Sequence, residues 1–264
     1  MRIDKVSVRN KYAEDLCQAL NDKCLEQDNF KNYSFIKTDE YDFDLPENEN
    51  PFVYLVYDDS EQLIAYLGFI KIDKNNMQVC MAVDPDSRRQ RIGTNLFLRL
   101  VSEFDSCSYQ VSLDPNNNIG KEFLQKLGFE FASTENSMCL SKDDFKFDAE
   151  PIELKIESDE ENGLLKITGI IDEEIEEAEE PIKKEIGWLF LARDDSSFSL
   201  FDIEVNEDYR EKGYGNRMLQ TALKDAFKHV DKVLLHVSNN NTPAINLYEK
   251  NGFKILETID LYEL

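Results

Sequence analysis

Arg210, Gly213 and Gly215 form the group of residues in this chain that is best suited to hold an anion. They follow an apolar segment that ends at Val205, and a helix-like sequence begins after them. The glycines let the backbone come close to a ligand, and the N–H groups at the start of a helix have no partners within that helix. The helix dipole adds a positive potential at the same point. This arrangement predicts a binding site for a diphosphate.

The stretch from Asn241 to Phe253 completes a pattern with this glycine turn. The pair is similar to the two signatures of the GNAT superfamily of N-acetyltransferases, whose acetyl-CoA loop reads Arg/Gln-x-x-Gly-x-Gly/Ala. The second family signature, Asn-x-x-Ala-x-x-Leu-Tyr-x-x-x-Gly-Phe, is matched at every named position. A glycine-rich turn alone is weak evidence, because such turns also bind nucleotides or only reverse the chain. Two signatures in the family's order favour this resemblance over a tight turn followed by an ordinary amphipathic helix.

Both signatures recur in the first half of the chain. Val83 precedes a turn with Arg88 and Gly93, and a second stretch ends at Gly128 and Phe129. An offset of 122 residues suits two whole domains better than a solenoid, whose repeats are far shorter. The chain therefore resembles a tandem GNAT protein, with domains at residues 1–142 and 143–264. The resemblance implies two mixed α/β domains, each a twisted, largely antiparallel sheet flanked by helices.

The two copies differ at positions that matter for chemistry. Arg91 stands where the loop should have its first glycine, and its side chain is expected to crowd a phosphate, although its charge offsets part of that effect. Phe123 and Leu124 replace the leucine and the tyrosine of the second signature. In many GNAT enzymes this tyrosine protonates the departing CoA thiolate, and leucine has no proton to give. The resemblance predicts a degenerate first domain and a catalytic second domain. The alternative is a divergent first copy that uses another acid or water.

The resemblance also assigns roles within the second domain. The backbone around Ile203 and Val205 pairs with the CoA arm, N–H groups after Arg210 hold the pyrophosphate, and Tyr248 is the general acid. Asp202 and Glu204 are candidate general bases, but they alternate with apolar residues and are compatible with a purely outward-facing position. The candidate residues are Tyr248, Glu204 and Asp202 for catalysis, and Ile203, Val205, Arg210, Lys212, Gly213, Tyr214, Gly215, Asn216 and Asn241 for acetyl-CoA.

Composition limits the partners and the compartment. The net charge of −24 argues against nucleic acid, because phosphate backbones bind basic surfaces. It is compatible with a cationic amine, although much of it lies in residues 172–180, an acidic block typical of a solvated segment. The chain lacks an apolar run long enough for a membrane span and an apolar secretory core at its start.

The cysteines and histidines suggest neither a disulfide framework nor a metal site. The five cysteines are odd in number and irregularly spaced, which predicts reduced thiols in a cytoplasmic protein. No spacing of cysteine and histidine indicates zinc. The two histidines, His229 and His236, are interpreted as structural.

Each half is predicted to contain antiparallel strands followed by strands that alternate with helices. A helix is predicted at residues 9–26, and two closing strands at 129–131 and 138–140. GNAT domains usually place two helices between their first two strands, where they form a wall of the acceptor site. The strands predicted at 152–156 and 164–171 leave no room for such a pair. The second domain is therefore expected to have a trimmed acceptor wall, which the first domain is a candidate to complete.

Three functions remain open at this point. The leading prediction is an acetyl-CoA-dependent N-acetyltransferase that acts on a small-molecule or peptide amine. The alternatives are a non-catalytic CoA-binding regulatory module and an interaction scaffold that binds no CoA. The oligomeric state is expected to be a monomer, as a pseudo-dimer of tandem domains, or a homodimer.

Overall fold

The computed structural model describes residues 1–7, 10–30, 52–159, 163–174, 181–194 and 196–264. They form a mixed α/β fold that divides into two compact units. The amino-terminal unit comprises Met1–Thr134 together with Ile259–Leu264, and the carboxy-terminal unit comprises Glu135–Thr258. The sequence predicts a division after residue 142, and these units differ from it in two segments. Residues 135–142 lie in the carboxy-terminal unit, and residues 259–264 lie in the amino-terminal unit.

The helices and strands follow one another along the chain with short connections. The first part contains β1 (Arg2–Ser7), α1 (Lys11–Asp28), β2 (Phe52–Tyr57), β3 (Leu63–Lys71), β4 (Asn76–Val83), α2 (Ile92–Glu103), β5 (Ser108–Leu113), α3 (Asn118–Leu127) and β6 (Glu130–Ser141). The second part contains β7 (Glu153–Asp159), β8 (Leu164–Glu173), β9 (Ile182–Arg193), β10 (Ser197–Val205), α4 (Tyr214–Ala226), β11 (Lys232–Ser238), α5 (Thr242–Lys250) and β12 (Lys254–Glu263).

The sheet of the amino-terminal unit has the strand order β1-β2-β3-β4-β5-β12. Its pairs are antiparallel except for β4 and β5, which are parallel. Helix α1 is capped by Asn10, whose side chain accepts from two backbone N–H groups, and the helix buries Ala13, Cys17, Leu20 and Cys24 at helical spacing. These residues cover one face of the sheet, while α2 and α3 cover the other face.

The sheet of the carboxy-terminal unit has the order β6-β11-β10-β9-β8-β7. Alternate residues of its strands pack beneath α4 and α5 in one core, which includes Leu191, Leu200, Leu235, Met218 and Tyr248. Strand β7 ends at Asp159 and β8 begins at Leu164, and this interval is too short for a helix of ordinary length. Among the described residues of this unit, the opposite face of the sheet therefore carries no helix.

Three strands differ from the sequence-based prediction. The expected pair of closing strands at 129–131 and 138–140 is one continuous strand, β6, and its residues 135–141 pair with β11. The closing strand β12 ends in the amino-terminal unit, where residues 260–263 pair with β5. Strand β1 was absent from the prediction. Of the acidic block, Asp172 and Glu173 belong to β8, and residues 175–180 lie outside the described part of the chain.

Candidate functional site

Strand β10 is irregular just before the glycine turn. Its ladder with β9 pairs Phe201 with Phe190 and then Glu204 with Trp188, so two residues of β10 oppose one residue of β9. The first of these two, Asp202, has a φ of 52°, which is uncommon for a residue other than glycine. Such a β-bulge leaves a backbone group without a ladder partner and bends the strand.

Gly187 on β9 permits this bulge. A Cβ atom added at Gly187 would lie 2.1 Å from the carbonyl oxygen of Glu204 and 2.9 Å from Cα of Val205. Because real Cβ atoms do not approach backbone this closely, only glycine allows β9 and β10 to meet in this way.

The bulge lies where β10 separates from β11. These two parallel strands pair only from Ser197 with Lys232 to Leu200 with Leu235. Beyond Leu200 the ladder stops, although both strands continue. The backbone of Ile203 and Val205 thus borders a gap in the ladder between β10 and β11, and the resemblance predicts that the CoA arm pairs with this backbone.

The loop after β10 is held against the strand end by Arg210. Its Nε donates to the carbonyl oxygen of Val205 at 2.8 Å, and its guanidinium lies 3.5 Å from the Glu204 carboxylate and 3.8 Å from that of Glu207. Lys212 Nζ donates to the Asp208 carbonyl oxygen at 2.7 Å. Both cations therefore stabilise the turn by bonds to its backbone.

The glycines of the turn have different physical roles. Gly213 has a φ of 81°, and a Cβ atom there would meet nothing within 4 Å. Gly215 packs closely, since its Cβ would lie 3.2 Å from Cγ2 of Val205. Helix α4 begins at Tyr214 and no side chain caps it, so the N–H groups of its first turn are available to a ligand.

The polar side chains near the starts of α4 and α5 are engaged within the protein. Asn216 Oδ1 accepts from Asn251 Nδ2 at 2.9 Å. Asn241 is the N-cap of α5, and its Oδ1 accepts from the Ala244 N–H at 3.2 Å. The Asn241 side chain therefore positions α5, while its amide nitrogen is the part left to contact a ligand.

Tyr248 projects from α5 into the core of the carboxy-terminal unit and is 5% exposed. Burial raises the pKa of its hydroxyl to about 12. The phenol therefore keeps its proton at neutral pH. Asp202 and Glu204 are both exposed. The Glu204 carboxylate lies 3.5 Å from the Arg210 guanidinium.

The amino-terminal unit repeats the loop but not the bulge. Arg88 Nε donates to the Val83 carbonyl oxygen at 3.1 Å, which matches the bond made by Arg210. Arg91 has a φ of 62° and so takes the backbone conformation of Gly213 despite its side chain. The ladder between β3 and β4 runs without interruption from Ala65 to Lys71.

The amino-terminal unit also contains a cavity of about 340 Å³ between the ends of β4 and β5 and helices α2 and α3. Its walls are mostly apolar, and Leu124, at the position equivalent to Tyr248, is one of them. Three arginines, Arg88, Arg89 and Arg91, lie at its edge. The sequence does not predict this cavity. It shows that signature positions are altered, but not how α2 and α3 pack against the strands.

No cluster of three or more His, Cys, Asp or Glu side chains in the described ranges is arranged to hold a metal ion. No helix in those ranges has the length and apolar character that crossing a bilayer requires.

Comparisons with known proteins agree with this fold. The model of the "Acetyltransferase (GNAT) family" matches residues 13–129 and 172–253. A GCN5-related N-acetyltransferase from Sphaerobacter thermophilus superimposes with a TM-score of 0.65 at 14% identity, over 99% of this chain and 95% of that one. A tandem GNAT protein from the clavulanic acid biosynthesis pathway gives 0.60 at 12% identity, over 100% and 98%. At these identities the likeness concerns the fold alone.

Two curated relatives share a short segment with this chain. An N-alpha-acetyltransferase of Sulfurisphaera tokodaii is 44% identical over 63 residues, which are 23% of this chain and 37% of the relative. A mycothiol acetyltransferase of Corynebacterium aurimucosum is 38% identical over 73 residues, which are 26% of this chain and 24% of the relative. The matches thus span well under half the length of either relative.

Proposed function

Since this chain belongs to the acetyltransferase (GNAT) family, we propose that it transfers an acetyl group from acetyl-CoA to a primary amine in the carboxy-terminal unit. The observation that carries the proposal is the bulge at Asp202 and Ile203. It lies beside the gap between β10 and β11 and before the glycine turn. The equivalent strand β4 has a regular ladder with β3.

Acetyl-CoA supplies a thioester, and the residues of the turn are suited to bind its diphosphate. Four features support this role: the open space at Gly213, the uncapped start of α4, the close packing of Gly215, and the bonds of Arg210 to the strand end. The residues that would hold the carrier are those from Arg210 to Asn216, with Asn241 at the start of α5.

The bulge supplies a candidate donor for the negative charge that develops on the thioester oxygen when the amine attacks. A ladder N–H freed by the bulge is fixed by the strands and needs little reorganisation. Tyr248 is the candidate proton donor to the departing thiolate, because its phenol is held neutral at physiological pH. The amine must lose a proton, and the exposed Asp202 and Glu204 remain candidates for that step, directly or through water.

A Tyr248→Phe variant tests the assignment. We expect thiol release to fall by roughly 100-fold, the lower end of what general acid catalysis contributes. Binding of acetyl-CoA, followed by calorimetry, should be unchanged because only a hydroxyl is removed. Tyr262→Phe is the matched control, since Tyr262 is also 5% exposed but lies in the amino-terminal unit. Equal turnover in both variants would remove Tyr248 from the mechanism.

A second candidate function is a CoA-binding regulatory role for the amino-terminal unit, which the arginine-edged cavity favours. The cavity offers apolar walls and cationic side chains, but Leu124 provides no proton. Calorimetry of acetyl-CoA with the intact protein distinguishes the possibilities. Two binding events per chain, of which one persists when Gly213 is changed, would support this additional role. A single event that is lost when Gly213 is changed would exclude it.

A further inference from the structure

The uncovered face of the carboxy-terminal sheet carries a group of aromatic side chains. Leu191 and Leu200 are opposite each other and point into the core, so their neighbours Phe190 and Phe201 point to the other face. Trp188 lies on that face by the same alternation. The rings of Phe190 and Phe201 are stacked 5.7 Å apart at 13°, and Phe201 is 43% exposed. We call Trp188, Phe190 and Phe201 the aromatic face.

The aromatic face adjoins the candidate reaction site. Phe201 immediately precedes the bulge, and Trp188 is paired with Glu204 just after it. On the other side of the gap, His236 of β11 is exposed and follows Leu235, the last residue paired with β10. An acceptor that reaches a thioester in the gap from this side must therefore pass the aromatic face.

The charge near the bulge suits a cation. Asp202 and Glu204 are exposed carboxylates at the end of the face where the amine must arrive, and Glu204 also lies 3.5 Å from the Arg210 guanidinium. Aromatic rings next to carboxylates attract ammonium groups through the ring quadrupole and the negative charge together. Lys166 is paired with Phe190 from the side of β8, and Glu157 of β7 is paired with Lys166 in turn, so the protein supplies its own cation on the β8 side of the face.

No helix among the described residues of this unit covers the aromatic face. In the amino-terminal unit α1 covers the equivalent side of the sheet, where Cys17 and Leu20 pack against β2 and β3. The carboxy-terminal unit has no such helix among its described residues. Sites for small molecules usually bury most of the ligand surface in a cleft, and an open sheet face does not do so. Exposed aromatic groups are typical of surfaces that bind polypeptides.

Resting on the acetyltransferase function proposed above, we propose that the acceptor amine is carried on a polypeptide segment. The segment lies across the aromatic face, with an apolar side chain against Phe190 and Phe201. Its cationic amine lies beside Asp202 and Glu204. Both sources of such an amine, an α-amino terminus and a lysine side chain, share this chemistry.

Trp188 provides a direct measure of binding, because it is the only tryptophan in the chain. Its fluorescence can be titrated with ten-residue basic peptides that lack tryptophan and contain one phenylalanine near the amine. One peptide has a free α-amine and no lysine, and the other has a blocked terminus and one lysine. Butylamine and spermidine serve as small amines. We expect saturable changes in emission with at least one peptide and none with the small amines at equal concentration.

Phe201→Ser and Phe131→Ser form a matched pair of variants. Both phenylalanines are exposed on strands, at 43% and 55%, and each contacts one aromatic ring, but Phe131 lies in the amino-terminal unit. We expect Phe201→Ser to raise the peptide KM about tenfold, as loss of a central aromatic contact does. The KM for acetyl-CoA should stay unchanged. Phe131→Ser should alter neither constant.

The outcomes separate this inference from the proposed function. Thiol release with small amines at peptide-like efficiency, or equal peptide KM values in the two serine variants, would overturn the polypeptide acceptor and leave acetyl transfer intact. Absence of thiol release with every acceptor, peptides included, would overturn both. Peptide turnover that is weakened only by Phe201→Ser would support both.

Discussion

Tyr248 and Leu124 occupy equivalent positions in the two units, and both side chains are buried in a core. At this position burial has a chemical effect only for the tyrosine, because removing water from around the phenol disfavours its anion. In the proposed reaction, burial keeps on Tyr248 the proton that the leaving group takes up. Leu124 has no such proton, so its side chain can only pack.

The burial of Tyr248 predicts a specific loss of stability in alkali. The phenol ionises near pH 10 in the unfolded chain and near pH 12 in the folded one. Because the folded form holds the proton more tightly, this contribution is complete below pH 10 and is lost as the pH rises towards 12. The free energy of unfolding should therefore decline more steeply in the wild type than in Tyr248→Phe, by at most about 3 kcal/mol.

Urea unfolding at several pH values between 9 and 12 measures this difference. Tyr12→Phe is the matched control, since it removes a hydroxyl from a side chain that is 67% exposed. A difference between wild type and Tyr248→Phe that stays constant up to pH 12 would contradict the assignment of this titration to Tyr248.

At the level of single residues, much of the candidate site follows from local sequence. Arg210, Gly213, Gly215 and Asn241 lie at the end of a strand or the start of a helix, as turn and cap chemistry requires. Arg91 shows the limit of this reasoning. Its residue type gives no sign of a left-handed backbone, yet Arg91 adopts a positive φ like that of Gly213.

At the level of elements, the bulge in β10 depends on a neighbour in another strand. A Gly187→Ala substitution would place a methyl group 2.1 Å from the carbonyl oxygen of Glu204, so β9 and β10 must move apart. We expect acetyl transfer to fall by 10-fold or more, because a small displacement of positioned groups is costly in catalysis. Stability should fall by about 1–3 kcal/mol, as with other overpacked sites.

Kinetics and thermal unfolding of Gly187→Ala provide the measurement. Gly163→Ala is a suitable control, because a Cβ at Gly163 would meet only ordinary van der Waals contact, at 3.7 Å, although its φ of 62° adds strain. If Gly163→Ala reduces turnover as much as Gly187→Ala, the bulge has no special role in the reaction.

The bulge and the aromatic face could not be predicted from sequence. The segment Ser199–Val205 reads as a regular alternating strand, and the extra residue becomes visible only when β9 is paired with it. The absence of a helix over β9 and β10 was partly foreseeable, because the interval between β7 and β8 is too short for one. Which side chains this leaves open depends on strand register, and register is set by contacts distant in sequence.

At the level of the whole molecule, the sheet of the amino-terminal unit is completed by residues 259–264. Asp260 is buried there, where Thr134 Oγ1 donates to it at 2.7 Å and Lys121 Nζ lies 2.6 Å away. Tyr262 is buried beside them. Removal of residues 259–264 should therefore destabilise the amino-terminal unit by at least about 3 kcal/mol, the cost of losing one buried aromatic side chain.

Hydrogen exchange locates this effect. The amides of β5 should lose protection in the shortened chain, while those of β11 should keep it. Leu256→Ser, at a 61% exposed position on the same strand, should leave both sets unchanged. Retained protection in β5 would show that the unit is stable without its last strand. The sequence does not predict that β6 pairs with β11 while β12 pairs with β5. Both are ordinary strands, and their partners lie far away in the sequence.

The placement of β12 also has a consequence during synthesis. The ribosome must translate the entire carboxy-terminal unit after residue 134 before β5 can pair with β12. At ordinary elongation rates this delay is on the order of 10 s. Throughout that time the nascent chain presents an unpaired strand edge, which is the feature that chaperones shield from association with other chains.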